Sequence, residues 1–146
     1  MSNATTDLLR QVVAAHQAAS RPAHRAGDRP LLVGLIGRGI QLSRTPSMHE
    51  REAARLGLDC AYMLVDFDLL GLPDDAVGEV VRAGAALGFQ GFNVTHPFKQ
   101  AIIPQLEALA PEAEAIGAVN TVVFGGARTT GHNTDCWGFA ESFRDG

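Results

Sequence analysis

The segment GFNVTHPFKQ, residues 91–100, passes from a strand-like run, GFNVT, into a polar cluster and reaches a lysine just past a proline. Residues 97–103 read as a short helix following that strand, so the segment is one strand-to-helix step of an alternating fold. Of the chain's 12 basic residues, Lys99 is the only lysine. Lysine can lose its proton inside a protein and arginine effectively cannot. A chain that uses arginine everywhere else has a chemical reason to place one amine here, although a lone lysine also suits a solvated surface.

Working outward, the same alternation repeats. LLVGLIG (31–37) reads as a buried strand and PSMHEREAARLG (46–57) as a helix, with Pro46 suited to its first position and Gly57 to the place just past its end. Thr45 fits an N-cap there, and Ser47 with Glu50 a capping box. CAYMLVDF (60–67) is a second strand, followed by a helix over 74–87 that Gly88 stops. Beyond GFNVT and a short helix over 111–116, AVNTVVF and TTGHNT flank GGAR as a β-hairpin, and DCWGFAESF opens a last helix. The pattern predicts an α/β fold: a mostly parallel mixed sheet flanked by helices, with one late hairpin. Ahead of it, Leu8, Leu9, Val12, Val13 and His16 have helical spacing over 6–19, and RPAHRAGDRP (21–30) reads as a linker. The expected organisation is a helix and linker over 1–30 and one domain over 31–146.

Composition narrows the function. A net charge of −4 gives no basic footprint for nucleic acid or an anionic membrane. No apolar run is long enough to span a bilayer, and polar residues interrupt the N-terminal helix, so no signal peptide is expected. Cys60 and Cys136, without a CxxC pair or metal spacing, read as two reduced thiols of a cytoplasmic protein. His49 and His96 lack metal-ligand companions and read as structural or surface groups.

GLIGRG (34–39) follows a strand as a dinucleotide-binding turn would. Starting from Gly37 and Gly39, however, the third glycine position is Leu42, no helix opens at Gly39, and only Asp66 or Asp68 could serve as the acidic partner. Nucleotide binding is not expected at this turn. Polar clusters instead fall at the ends of strands: Ser43 and Thr45; Asn93, Thr95 and Lys99; Asn120; and Asn133, Thr134 and Asp135. In open α/β sheets ligands bind in the crevice at the carboxyl ends of the strands. Hydroxyls, amides, one amine and one carboxylate gathered there suit a small, heavily hydroxylated ligand.

GRGIQLSRTPSMH, GFNVTHPFK, GAVNT and GHNTDCWGF occur in the order, and at about the spacing, of the substrate-binding domain of shikimate dehydrogenases, which the chain resembles over roughly residues 31–143. SRTP with THPFKQ is most similar to the quinate/shikimate dehydrogenase branch of actinobacteria. The resemblance implies that Ser43 and Thr45 offer hydroxyls to a substrate carboxylate, that Thr95 and Asn120 bind ring hydroxyls, and that Lys99 and Asp135 form the catalytic pair. It implies reversible hydride transfer between NADP or NAD and the 3-dehydroshikimate/shikimate couple, with quinate a further candidate substrate.

The chemistry agrees with those residue types. Reducing a ketone leaves a developing alkoxide that needs a proton donor within hydrogen-bond reach. Other roles stay open: Asp135 or Thr134 could cap the last helix, and Asn93 and Asn120 could tie down backbone. Where the family commonly has Pro, His and Ser in its first motif, this chain has Gly39, Leu42 and Thr45. Family members continue into a nicotinamide-binding domain, which is expected to hold most cofactor contacts, so this chain alone is expected to bind substrate weakly and to be inactive. The alternative is a non-catalytic shikimate- or quinate-binding or regulatory module. Retention of both Lys99 and Asp135 favours the enzyme.

Overall fold

The computed structural model describes residues 4–19, 29–126 and 128–144, and in the last helix it leaves the side chains of Trp137 and Phe139 undescribed. Most of the expected linker lies outside the described residues. In chain order the elements are α1 (Ala4–Ala19), β1 (Leu31–Gly37), α2 (Thr45–Arg55), β2 (Cys60–Asp66), α3 (Phe67–Leu70), α4 (Val77–Ala86), β3 (Gly91–Val94), α5 (Phe98–Ala101), β4 (Ala108–Leu109), α6 (Pro111–Ile116), β5 (Thr121–Gly125), β6 (Arg128–His132) and α7 (Asp135–Arg144).

One six-stranded sheet runs β2-β1-β3-β5-β6-β4. β1 pairs in parallel with β2 and β3, and β4 in parallel with β6, while β5 is antiparallel to both β3 and β6. Five strands therefore point one way and β5 alone runs back. The consequence decides the site: the carboxyl ends of β1, β2, β3 and β6 share one edge with the start of β5. The mostly parallel sheet with its late hairpin is as the sequence predicts. Two short elements, α3 and β4, are additions to that reading.

The larger core forms where α4 and α1 cover one face. Ile36, Val65, Phe67, Phe92, Val94, Phe98 and Val80 are essentially sealed from solvent, and each takes an apolar side chain from a strand or a helix stripe. Leu9 of α1 is also 1% exposed, so the core takes in the N-terminal helix ahead of residue 31. At about 25 cal/mol per Å² of apolar surface, a side chain such as Leu9 contributes about 2 kcal/mol. On the other face Leu35, Ile40 and Tyr62 make a smaller cluster beside α2.

Gly57 and Gly88 take positive φ just past α2 and α4, as expected of helix stops. The start of α2 differs from the reading. Arg44, not Thr45, precedes the helix and makes no side-chain cap; Ser47 Oγ donates to Arg44 C=O, and Glu50 Oε1 accepts the N–H of Tyr62 on β2. Tertiary pairing with the strand has taken the glutamate that a capping box requires.

Candidate functional site

The loops at the carboxyl edge are bound to one another through backbone. Thr95 N–H donates to Ile36 C=O at 2.9 Å and Arg38 N–H to His96 C=O at 3.3 Å, which joins the loop after β3 to the loop after β1. Val94 N–H donates to Asn120 C=O at 2.7 Å, and Val119 N–H to Lys99 C=O at 2.7 Å, which anchors α5 against the entry to β5. The contact between loops is close. A Cβ added to Gly37 would lie 2.6 Å from Thr95 Cγ2 and 2.8 Å from Ile40 Cγ2, so only glycine leaves room for both.

Lys99 and Asp135, 36 positions apart, meet across this edge. Lys99 Nζ donates to Asp135 Oδ2 at 2.6 Å, and the side chains are 36% and 63% exposed. The Lys99 hydrogen bond holds the Asp135 carboxyl below its usual range, against partial burial, with the Asn120 amide adding in the same direction. Asp135 is free for this because Asn133 caps the helix: its Oδ1 accepts the N–H groups of Asp135 at 3.1 Å and Cys136 at 3.4 Å. Neither Thr134 nor Asp135 is the side-chain cap. Thr134 Oγ1 turns to Asn120 instead.

Ser43 and Thr45 are also together, Ser43 Oγ donating to Thr45 Oγ1 at 2.9 Å and accepting the Thr45 N–H at 3.2 Å. Thr95 and Lys99 line an open hollow of about 550 Å³ with His96, Pro97, Gln100 and Ala118. Asn120 is 8% exposed and largely occupied: Oδ1 accepts from Thr134 N–H and Thr121 Oγ1, and Nδ2 donates to Thr134 Oγ1. The hollow's lining includes Thr95 and Lys99 of the six selected residues, while Ser43, Thr45, Asn120 and Asp135 stand on neighbouring loops of the same edge. Asn93 extends the network, accepting from Tyr62 Oη at 2.8 Å and donating to Thr121 Oγ1 at 3.2 Å.

Asp66 is the residue that sequence reading underweighted, considering it only as a nucleotide's acidic partner. It is 2% exposed at the end of β2 and accepts from Gly39 N–H, Ile40 N–H, Gln41 Nε2 and Asp68 N–H at 3.0–3.1 Å. The N–H groups that a pyrophosphate would need at the GLIGRG turn therefore already face a carboxylate, so the turn does not fit a dinucleotide. The sequence offered only the local part of this arrangement, an aspartate ending a strand in VDFD with the Asp68 N–H two residues on.

Among the described residues no group of three or more His, Cys, Asp or Glu side chains could hold a metal ion, and no helix is long and apolar enough to cross a membrane.

Comparison with known proteins gives a consistent set of matches. Residues 35–122 match the family model for the shikimate dehydrogenase substrate binding domain. Over 115 residues the chain is 59% identical to a shikimate dehydrogenase (NADP(+)) of Streptomyces avermitilis, covering 79% of this chain and 40% of that protein. It is 46% identical over 121 residues to a quinate/shikimate dehydrogenase (NAD(+)) of Corynebacterium efficiens, covering 80% and 41%. A solved quinate dehydrogenase from Corynebacterium glutamicum in complex with NAD superposes with a TM-score of 0.74 at 41% identity, covering 82% of this chain and 43% of that one. The chain thus spans about two fifths of the length of the curated relatives it matches.

Proposed function

The chain belongs to the shikimate dehydrogenase substrate-binding domain family, and from that premise we propose that it is the substrate-binding part of an NADP- or NAD-dependent shikimate or quinate/shikimate dehydrogenase, with Lys99 and Asp135 in proton transfer. The observation that carries this reading is the 2.6 Å contact between Lys99 Nζ and Asp135 Oδ2 at the carboxyl edge of the sheet. In this reading residues 31–146 are the substrate unit, and the substrate is shikimate, 3-dehydroshikimate or quinate.

The ammonium has three protons and Asp135 takes one. Another is free to meet the oxygen of a ring carbonyl in the hollow as negative charge develops there, and in the reverse direction the amine takes the hydroxyl proton back. The nicotinamide cofactor named for the relatives supplies or accepts the hydride, and the turn at 37–40 does not fit it. Asp135 keeps the amine oriented and stays anionic because its carboxyl is held low. Thr95, beside Lys99 in the lining, carries a hydroxyl that suits a ring hydroxyl. Ser43 and Thr45, two hydroxyls at the entry to α2, suit the substrate carboxylate, since a helix N-terminus favours negative charge.

In the enzyme containing this chain, Lys99→Ala is expected to lower kcat by about 10²–10⁴-fold, the usual worth of a positioned proton donor, with little change in KM. Steady-state kinetics with shikimate checks it. Turnover at the wild-type rate would remove the assigned role.

A further inference from the structure

We propose that Asp66, which touches no part of the hollow, is a positioning residue for the substrate carboxylate: it holds the turn that presents Ser43 and Thr45. This rests on the reading of those two hydroxyls given above. A short chain of hydrogen bonds carries the argument. Asp66 Oδ2 accepts the Ile40 N–H at 3.0 Å, the Ile40 C=O accepts the Ser43 N–H at 2.9 Å, and Ser43 Oγ exchanges hydrogen bonds with Thr45. Asp66 Oδ1 meanwhile fixes the Gly39 N–H at 3.1 Å, and Gln41 Nε2 reaches Oδ2 at 3.1 Å. Three consecutive residues of the turn thus converge on one carboxylate.

The arithmetic of donors explains why this position needs an acid. Four donors face two oxygens, and an ionised carboxylate has about four lone-pair sites and no proton to offer. An asparagine would keep the shape but turn an NH₂ towards N–H groups that need acceptors. Arg38, the residue before the turn, braces its outer side: Nε donates to Asp74 Oδ1 at 2.7 Å, Nη1 to Asp68 Oδ1 at 2.7 Å and Nη2 to Leu72 C=O at 2.7 Å. Ile40, 9% exposed against Leu35 and Tyr62, pins the inner side. The turn is therefore built as a rigid support whose far end is Ser43.

The test is an NMR titration of this chain with shikimate and, separately, with its methyl ester, following the Ser43 and Thr45 amides. Wild type binds the acid more tightly than the ester. Asp66→Asn is expected to reduce that acid-over-ester ratio about tenfold, the scale of a hydrogen bond to a charged group, and Ser43→Ala is expected to do the same. Gly39→Ala approaches the turn from the other side: an added Cβ has room, 3.8 Å from Asp68 Oδ2, but φ +63° is strained for alanine. It is expected to reduce the ratio about threefold, and it decides the matter if Asp66→Asn does not fold. An unchanged ratio in folded Asp66→Asn, or equal weakening of acid and ester, overturns the proposal while Ser43→Ala still lowers the ratio. If Ser43→Ala also leaves the ratio unchanged, or wild type shows no preference for the acid, the carboxylate reading itself fails.

Discussion

Asp66 and Asp135 sit at the same edge of one sheet, both held below the usual carboxylate range, and they are put to opposite uses. Around Asp66 burial pushes the carboxyl up, and hydrogen bonds from Gln41, Ile40, Asp68 and Gly39 outweigh it. Every partner belongs to the fold, and the side chain is sealed. Around Asp135 the main partner is one amine, and more than half of the side chain remains open to solvent. A carboxylate fully satisfied by its own fold can only hold a shape. One paired with a single exposed lysine still has lone pairs, and its partner still has protons, to offer to something else.

The difference is sharpest in stability. Asp66→Ala leaves the buried Ile40 N–H and the half-buried Gly39 N–H without their acceptor, at an expected cost of about 2 kcal/mol. Asp135→Ala breaks an exposed pair and is expected to cost no more than about 0.5 kcal/mol. Urea unfolding of the two variants and wild type, followed by circular dichroism, measures both. Equal losses would erase the distinction between the two carboxylates.

The sequence made one member of this comparison visible and hid the other, for a physical reason. Lys99 and Asp135 stand in the first turns of the helices that follow β3 and β6, at the carboxyl edge of the sheet, and both lie in motifs whose spacing is distinctive. The strands themselves were legible because their apolar runs end at Gly, Pro and Asn. Asp66 was not, because its meaning depends on the two backbone N–H groups and the Gln41 side-chain amide that come to it from 25 to 27 positions away. Glu50 misled for the same reason. Its spacing from Ser47 signals a capping box, yet the Tyr62 N–H, 12 positions on, takes the carboxylate. α3 and β4 are too short, at 4 and 2 residues, to carry a period. Lys99 and Asp135, 36 positions apart, were found through their motifs, whereas the roles of Glu50 and Asp66 are set by distant N–H groups that no motif announces.

Asn133 links the two regions in kind, since it is a structural residue serving an exposed one. By accepting the first N–H groups of α7 it leaves Asp135 to Lys99. It is 5% exposed, and its Nδ2 also donates to Ala118 C=O at 3.1 Å. Asn133→Ala is expected to cost about 1 kcal/mol, within the range of lost caps, and Asn133→Asp, which keeps an acceptor, less than that. Thermal melts of both variants check the order. A larger loss for Asp would mean that a carboxylate set against the Ala118 carbonyl costs more than the retained cap returns.

The smallest expected effect is in acid, and it separates the two carboxylates by their response to salt. Each has a folded-state pKa below the ordinary value of 3.8. The stability each confers is therefore complete above 3.8 and is lost as pH falls through the lower folded value, because the unfolded chain binds the proton first. For Asp66 the carboxylate is sealed and held by uncharged N–H donors, so its acid loss is expected to be nearly independent of salt. For Asp135, exposed against Lys99, added salt screens the pair and flattens its smaller acid loss. Unfolding free energies of wild type, Asp66→Asn and Asp135→Asn, followed downward from 3.8 in low and high salt, give the two contributions by difference. A salt-sensitive difference for Asp66 would show that water and ions reach its carboxylate, and the contrast between a sealed support and an open pair would fall with it.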